Sequence, residues 1–240
     1  MGKLDGKVAI ITGGGSGIGK GIARTFAQEG CALVLTGRTA ERLERAAEEL
    51  RATPAEVLAI PADVAKEDQV LALFRQCTER FGRLDILVNA AGAFDGGRLD
   101  EISYEAWLRV VDANLNGAFL CSREAFRIMK DQGGGHIVNI GSISAQMPRE
   151  HSAPYSSTKF AIQGLTHSTA LDGREFGIVC GCLHPGNVLV ERRAADEGTT
   201  PLMSTEEIGQ LALVMVTLPP QTNLFQAIVL PVQQPYLGRG

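Results

Sequence analysis

Short apolar runs alternate with stretches of helical periodicity along the whole chain. Val8–Ile11, Ala32–Thr36, Val57–Ile60, Leu84–Val88, the run from Gly135 to Gly141, Ile178–Leu183 and Ala227–Leu230 read as buried strands. Between them the spacing predicts helices. One carries Ile22, Ala23, Phe26 and Ala27; others end near Leu50 and run from about Lys66 to Phe81. A long pattern spans Tyr104 to Met129 through Trp107, Val110, Val111, Leu115, Phe119 and Leu120. Another starts near Tyr155 and continues through Phe160, Ala161, Leu165 and Ala170, and Glu206–Thr217 forms the last. Strand and helix taking turns in this way define an α/β organisation. No linker-like composition divides the 240 residues, so one domain over 1–240 is expected. The irregular span 187–205 suits a lid over a substrate, and Pro231–Gly240 reads as coil that docks on a neighbour.

Composition narrows the class of protein. A hydrophobic fraction of 45% with 21% charged residues is that of a soluble globular chain with a sizeable core. The formal net charge of -4 and the lack of a Lys/Arg block argue against a nucleic-acid partner. No apolar run approaches the roughly 20 residues of a membrane span, and the first residues lack a signal peptide's apolar core, so a cytoplasmic protein is expected. Cys31, Cys77, Cys121, Cys180 and Cys182 have neither zinc nor redox spacing and read as buried, reduced side chains, with no metal expected.

The first strand passes into Thr12-Gly-Gly-Gly-Ser-Gly-Ile-Gly19 and then a helix, where glycine backbone and free helix N–H groups suit a pyrophosphate. The second strand ends in Gly37-Arg38, with no acid for a ribose 2′-hydroxyl. Arg38, with Arg42 one turn on, suits the 2′-phosphate of NADP, leaving NAD as the alternative if Arg38 merely caps or solvates its helix. Asp63 either accepts from an adenine amino group or N-caps the helix near Lys66. Asn89-Ala-Ala-Gly92 lets a flat cofactor lie against the backbone, and the Asn89 amide can tie adjacent strands. Asn114 within a long helix needs a reason, either a local kink or a side chain aimed at the same crevice as Lys159.

The chemistry converges on Ser142 through Lys159. Tyr155 and Lys159 stand one helical turn apart, with Pro154 suited to the helix start. Such a pair also occurs on solvated helix faces. Here, Ser142 ends a buried strand where an open α/β sheet puts its ligand crevice, so a hydroxyl and a phenol beside a cation face one place. That is a set suited to holding a carbonyl oxygen while its charge changes.

These motifs, in this order and over essentially the full chain, resemble the short-chain dehydrogenase/reductase family: Thr12-Gly-x-x-x-Gly-Ile-Gly19, Asp63-Val64, Asn89-Ala-Ala-Gly92, Asn114, Ser142, Tyr155-x-x-x-Lys159 and Pro185-Gly186. The resemblance implies a doubly wound Rossmann-type fold of about seven parallel strands with helices on both faces. It also implies hydride exchange between a nicotinamide, NADP(H) in preference to NAD(H), and a small or medium-sized alcohol or carbonyl. Tyr155 is then the acid/base, Lys159 tunes it and binds the nicotinamide ribose, Ser142 holds the substrate oxygen, and Asn114 fixes a relay water. The implied cofactor positions are Gly13, Ser16, Gly17, Ile18, Gly19, Arg38, Asp63, Val64, Asn89, Ala90, Gly92, Tyr155, Lys159, Pro185, Gly186 and Val188. A homotetramer or homodimer is implied too, with the helices around Asn114 and after Tyr155 as contact surfaces. One departure is Val190, where the family often has a Thr. Arg192 and Arg193 either bind an acidic substrate or, as the simpler reading, face solvent, while His151 is a candidate for the pocket wall. The segment Leu218–Asn223 and the Gln234-Pro235 ending are similar to relatives acting on small hydroxy acids and hydroxy amino acids. A non-catalytic NADP sensor is the competing class, and the retained Tyr155 and Lys159 speak against it.

Overall fold

The seven apolar runs pair side by side. In the computed structural model, which describes residues 2–235 apart from the Arg192 side chain, the elements are β1 (Val8–Thr12), α1 (Gly17–Gln28), β2 (Ala32–Gly37), α2 (Ala40–Leu50), β3 (Val57–Pro61), α3 (Glu67–Phe81), β4 (Ile86–Asn89), α4 (Tyr104–Val111), α5 (Gly117–Gln132), β5 (Gly135–Ile140), α6 (Ala153–Gly173), β6 (Ile178–Pro185), α7 (Thr205–Thr217) and β7 (Gln226–Val229). A π-helical turn, Asp112–Asn116, joins α4 to α5, and short 3₁₀ turns lie at Ile143–Ala145, Arg174–Phe176 and Glu191–Asp196. All strand pairs are parallel, in the order β3-β2-β1-β4-β5-β6-β7. The order reverses between β1 and β4, which opens a crevice at their carboxyl ends. This is the doubly wound α/β fold expected, although 236–240 of the expected docking tail lie outside the described residues.

A sheet covered on both faces needs apolar side chains in both directions, and the inner strands supply them. Ala9, Ile11, Leu33 and Leu35 face Ile22 and Phe26 of α1, Leu43 and Leu50 of α2, and Ile208 and Leu213 of α7. The alternate positions Val8, Ile10, Val34 and Leu87 meet Val70, Leu73 and Phe74 of α3 and Cys121, Ala125 and Met129 of α5. Each Val, Leu, Ile, Phe or Met side chain among them, wholly withdrawn from water, stabilises the fold by about 1.5–3 kcal/mol.

Polar groups set the boundaries. Ser204 and Glu207 close a reciprocal capping box that starts α7. Pro154 takes the first turn of α6 but not its first position, which is Ala153. Asp63 is not the N-cap of α3; that residue is Lys66, and the Asp63 carboxylate accepts from the Ala65 N–H at 3.1 Å. Leu84 and Asp85 precede β4 instead of belonging to it, because Asp85 is spent as a buried tie between strand starts. Its carboxylate accepts from the Val8 N–H at 3.0 Å, Lys7 Nζ at 3.1 Å and the Arg83 guanidinium at 2.6 and 2.8 Å.

Burial opposes the charge on Asp85, but the hydrogen bonds from Arg83, Val8 and Lys7 outweigh it and hold the carboxyl below its ordinary range. With a depressed folded-state pKa, the stability from this group is present at neutral pH and lost as pH falls through that lowered value. Asp85→Asn is expected to cost about 1.5–3 kcal/mol at neutral pH, the scale of hydrogen bonds to a charged group. Urea unfolding checks it: the gap between variant and parent should close in acid, and a gap that does not vary with pH would refute the assignment.

Candidate active site

The turn after β1 is built for close approach. Gly13 and Gly17 adopt positive φ of 67° and 50°, and a Cβ on Gly19 would run into the Gly13 carbonyl. Thr12 Oγ1 accepts from the Ala90 and Ala91 N–H groups at 3.0 and 2.9 Å, locking the end of β1 to the exit of β4. Ser16 is the N-cap of α1 without a side-chain cap bond. The Gly17 N–H donates instead to Glu191 Oε1 at 3.2 Å, so a carboxylate from the segment after β6 stands at the positive end of α1. That anion stands in for a phosphate and shows that the turn and helix start accept negative charge. The residues present therefore fit a dinucleotide.

Two cavities border this turn. The smaller, of about 220 Å³, is lined by Gly13, Ser16, Arg38, Arg42, Asp63 and Val64. Arg38 and Arg42 are exposed, and among the described residues neither forms an ion pair. The larger, of about 610 Å³, is walled by Ile18, Ala90, Ser142, Tyr155, Lys159, Pro185, Gly186 and Val188 among others, and Gly92 lines both cavities. Gly17, Gly19 and Asn89 stand behind these walls. Gly17 borders a third recess on the outer side of the segment after β6.

Helix α6 sets Tyr155 and Lys159 on one face, with the Lys159 ammonium 5.5 Å from the Tyr155 ring centroid. Lys159 is only 7% exposed, and its Nζ donates to the Ile140 carbonyl at 2.7 Å, where β5 ends. The Tyr155 ring leans edge-on against Phe94, with centroids 5.2 Å apart. Ser142 opens the 3₁₀ turn after β5, its Oγ accepting from the Ser144 N–H at 3.1 Å. Ser142, Tyr155 and Lys159 thus meet around one cavity. Asn114 is buried in the π-helical turn, so of the two alternatives the local irregularity of the helix is present. Its Oδ1 accepts from the Ala93 N–H at 2.6 Å, and its Nδ2 donates to the Ala93 carbonyl at 3.0 Å and Thr158 Oγ1 at 3.1 Å. Asn114 is a brace behind the cavity and not part of its wall.

Asn89 ties neighbouring strands, as its position suggested. Its Nδ2 donates to Asn139 Oδ1 on β5 and to Ser122 Oγ on α5, each at 2.9 Å, and Asn139 Nδ2 donates to Thr166 Oγ1 on α6 at 2.9 Å. Sequence reasoning passed over Asn139, Thr158 and Thr166, because a hydroxyl or amide within an apolar run carries no local mark of its partner. It passed over His184 too, whose Nδ1 lies 3.3 Å from the Ser142 nitrogen and 3.1 Å from its carbonyl oxygen. In either tautomer His184 holds the Ser142 backbone.

Two expectations are corrected. His151 is exposed, with a left-handed φ of 57°, and lies outside the cavity wall; its carbonyl accepts from the Gly97 N–H at 3.0 Å. Arg193 does not face solvent. It is 16% exposed, lines the larger cavity, and donates to Asp196 at 2.9 Å and to Asn187 Oδ1 at 2.7 Å. The Arg192 side chain lies outside the described residues.

Fold and cleft define a dinucleotide-dependent oxidoreductase architecture, and the comparisons name the group. Residues 7–199 match the short chain dehydrogenase family. A 3beta-hydroxysteroid dehydrogenase of Mediterraneibacter gnavus is 36% identical over 200 residues, which cover 82% of this chain and 72% of that one. An uncharacterized oxidoreductase of Staphylococcus saprophyticus is 32% identical over 97% of this chain and 100% of its own. Among solved structures, a short-chain type dehydrogenase/reductase from Mycobacterium ulcerans superposes with a TM-score of 0.90 at 28% identity, over 95% of this chain and 90% of that one. An alcohol dehydrogenase from the archaeon Thermococcus sibiricus, complexed with 5-hydroxy-NADP, gives 0.85 at 29% identity, over 95% and 97%. The chain belongs to the short chain dehydrogenase family and is an oxidoreductase acting on CH–OH groups.

Burial, reinforced by the Lys159 charge, holds the His184 imidazole below its ordinary value of 6.5, with the Ser142 hydrogen bond opposing only in part. His136 shifts the same way, chiefly through burial. The unfolded chain therefore binds protons that the folded chain refuses, so stability is full above about pH 6.5 and falls as pH drops below it. Denaturant midpoints measured between about pH 7 and about pH 5 should decline. His184→Asn, which keeps a polar group near the Nδ1 position but cannot titrate, should flatten part of that slope; an unchanged slope would show that His184 is not its source.

Proposed function

We propose that this protein interconverts a small or medium-sized ketone or aldehyde and its alcohol with NADP(H), using Tyr155 as the proton donor in reduction and the acceptor in oxidation. The observation that carries the reading is the meeting of Ser142, Tyr155 and Lys159 around one cavity that shares Gly92 with the glycine-turn groove. The turn with Ile18 would hold the pyrophosphate, Ala90 and Gly92 the flat ring system, Lys159 a ribose hydroxyl, and Pro185, Gly186 and Val188 the nicotinamide side. When bound, the nicotinamide supplies the hydride. The chain's own work is positional and protonic. Ser142 Oγ donates to the substrate oxygen, the Tyr155 hydroxyl moves a proton to or from it, and the Lys159 charge stabilises the phenolate left behind. Asn114, engaged through its amide with Ala93 and Thr158, keeps α6 and the segment after β4 in register.

NADP is favoured over NAD because Arg38 and Arg42 border the smaller cavity where β2 ends without an acid. The bound NADP analogue in the Thermococcus sibiricus relative supports this. In this reading 1–240 is one domain and 187–205 its lid; Val188, Val190, Arg193 and Asp196 of that span line the larger cavity. Exposed Tyr104, Leu108, Phe119 and Phe160 on α4, α5 and α6 support a homo-oligomer, and five unpaired, buried cysteines suit the cytoplasm. Among the described residues, no helix is long and apolar enough to cross a membrane.

Tyr155→Phe should abolish turnover while leaving NADPH binding nearly intact, since it removes the proton and not the cradle; substantial residual turnover in a stopped-flow assay would refute the role. Arg38→Ala should weaken NADPH by about 1.5–3 kcal/mol, the scale of a hydrogen bond between charged groups. NADH affinity should change far less, and a fluorescence titration of both nucleotides decides it.

A further inference from the structure

Stretches of chain far apart in sequence meet at Asn187, a residue to which hydride transfer gives no role. Its main chain is anchored on both sides. The Asn187 N–H donates to Gln234 Oε1 at 2.6 Å, and its carbonyl accepts from the Met203 N–H at 2.9 Å, beside the parallel bridge between Val188 and Met203. One residue back, the Gly186 N–H donates to the Val229 carbonyl at 2.7 Å, where β7 ends. A side chain on Gly186 would run into Gln234 Oε1 and Leu230, so the approach of the C-terminal stretch is close. From this fixed post the Asn187 side chain reaches two further segments. Its Oδ1 accepts from Arg149 Nη2 at 2.8 Å and from Arg193 Nη1 at 2.7 Å. Arg149 lies between Ser142 and α6, and Arg193 lies in the 3₁₀ turn after β6.

Both segments line the larger cavity: Ser142, Ser144 and Arg149 from one, and Val190, Arg193 and Asp196 from the other. Asn187 is only 7% exposed and stands outside that wall. An amide oxygen has two lone pairs, so a single atom can receive a donor from each segment at once. Resting on the carbonyl–alcohol reading of this cavity, we propose that Asn187 is a positioning residue, a clasp that holds the segment of Arg149 and the segment of Arg193 together around the substrate. Its neutrality is part of the role. A carboxylate in that place would meet the guanidinium groups with a full negative charge and two oxygens, and paired charge-assisted bonds would tie the segments far more firmly. The amide oxygen holds them in register through one bond each, which can break when substrate enters and product leaves. Asp196, which pairs with Arg193 Nε at 2.9 Å, sits in the same 3₁₀ turn and travels with it, so that ion pair does not oppose the opening.

The test is amide hydrogen exchange, followed segment by segment by mass spectrometry, in the parent, Asn187→Ala and Asn187→Asp. Beside it runs steady-state reduction of a ketone panel, including cyclohexanone and acetophenone, with NADPH. Asn187→Ala should speed exchange in both 146–152 and 189–200 by about ten- to a hundredfold, the effect of one hydrogen bond to a charged group, while β1 and β4 keep their protection. Asn187→Asp should slow exchange in the same two segments. For any ketone the parent reduces, Asn187→Ala should raise KM by about tenfold or more and change kcat less. A residue that only stabilised its own turn would leave 146–152 unmoved. Exchange that changes in one segment alone, or in the same direction in both variants, would overturn the clasp, as would a KM that Asn187→Ala leaves unchanged. If Asn187→Ala fails to fold, Asn187→Asp decides by itself, because slower exchange in both segments cannot come from lost stability. A parent that reduces no ketone, with exchange as expected in both segments, would count against the carbonyl–alcohol reading and leave the clasp standing.

Discussion

A buried run of side-chain hydrogen bonds, from Ser122 through Asn89 and Asn139 to Thr166, crosses from α5 through β4 and β5 to α6. The site is suspended from it. Helix α6 carries Tyr155 and Lys159, β4 leads into Ala90 and Gly92, β5 leads into Ser142, and α5 continues from the turn that holds Asn114. Polar groups withdrawn from water must be paired or they destabilise the fold, so this run permits one relative placement of the four elements. Apolar contacts would tolerate some sliding of a helix over a sheet. Directional bonds of 2.9 Å do not.

Two further ties extend the same logic to the rim. Thr12 joins β1 to the chain leaving β4, and Asn114 joins that chain to α6 through Thr158, whose hydroxyl donates to the Tyr155 carbonyl at 2.8 Å. The cavity wall is thus braced from behind by amides and hydroxyls that do not line it. His184 adds a neutral imidazole beside Lys159, fixing the Ser142 backbone without adding a second positive charge.

Much of this was legible in the chain itself, for reasons that differ by residue. The strands announced themselves because a sheet covered on both faces demands unbroken apolar runs, and the glycine turn because its backbone angles exclude other residues. Tyr155 and Lys159 were legible through helical spacing. The apolar pattern of helix α6 does not tell its core face from an outer one: Phe160 is exposed, and the buried face runs through Thr158, Ile162 and Thr166. Hydroxyls can take core positions when a helix carbonyl accepts from them, as the Ile162 carbonyl does from Thr166 at 2.7 Å. The environments of Arg193 and Glu191 were out of reach, because both sit in an aperiodic segment whose direction is set by the Val188–Met203 bridge and not by local pattern.

The π-helical turn at Asp112–Asn116 carries a consequence for length as well as for shape. An α-helix advances about 100° per residue, so one residue accommodated in a wider turn rotates everything before it by that much relative to everything after. Helix α4 can then present Val110 to the interior while α5 presents Cys121, Ala125 and Met129, although the two helices are continuous in sequence. Deleting a single residue here would leave a well-formed helix with its bulge ironed out. Its two halves would then be out of phase with the surfaces they cover, so the span from Tyr104 to Gln132 tolerates changes of residue far better than changes of count.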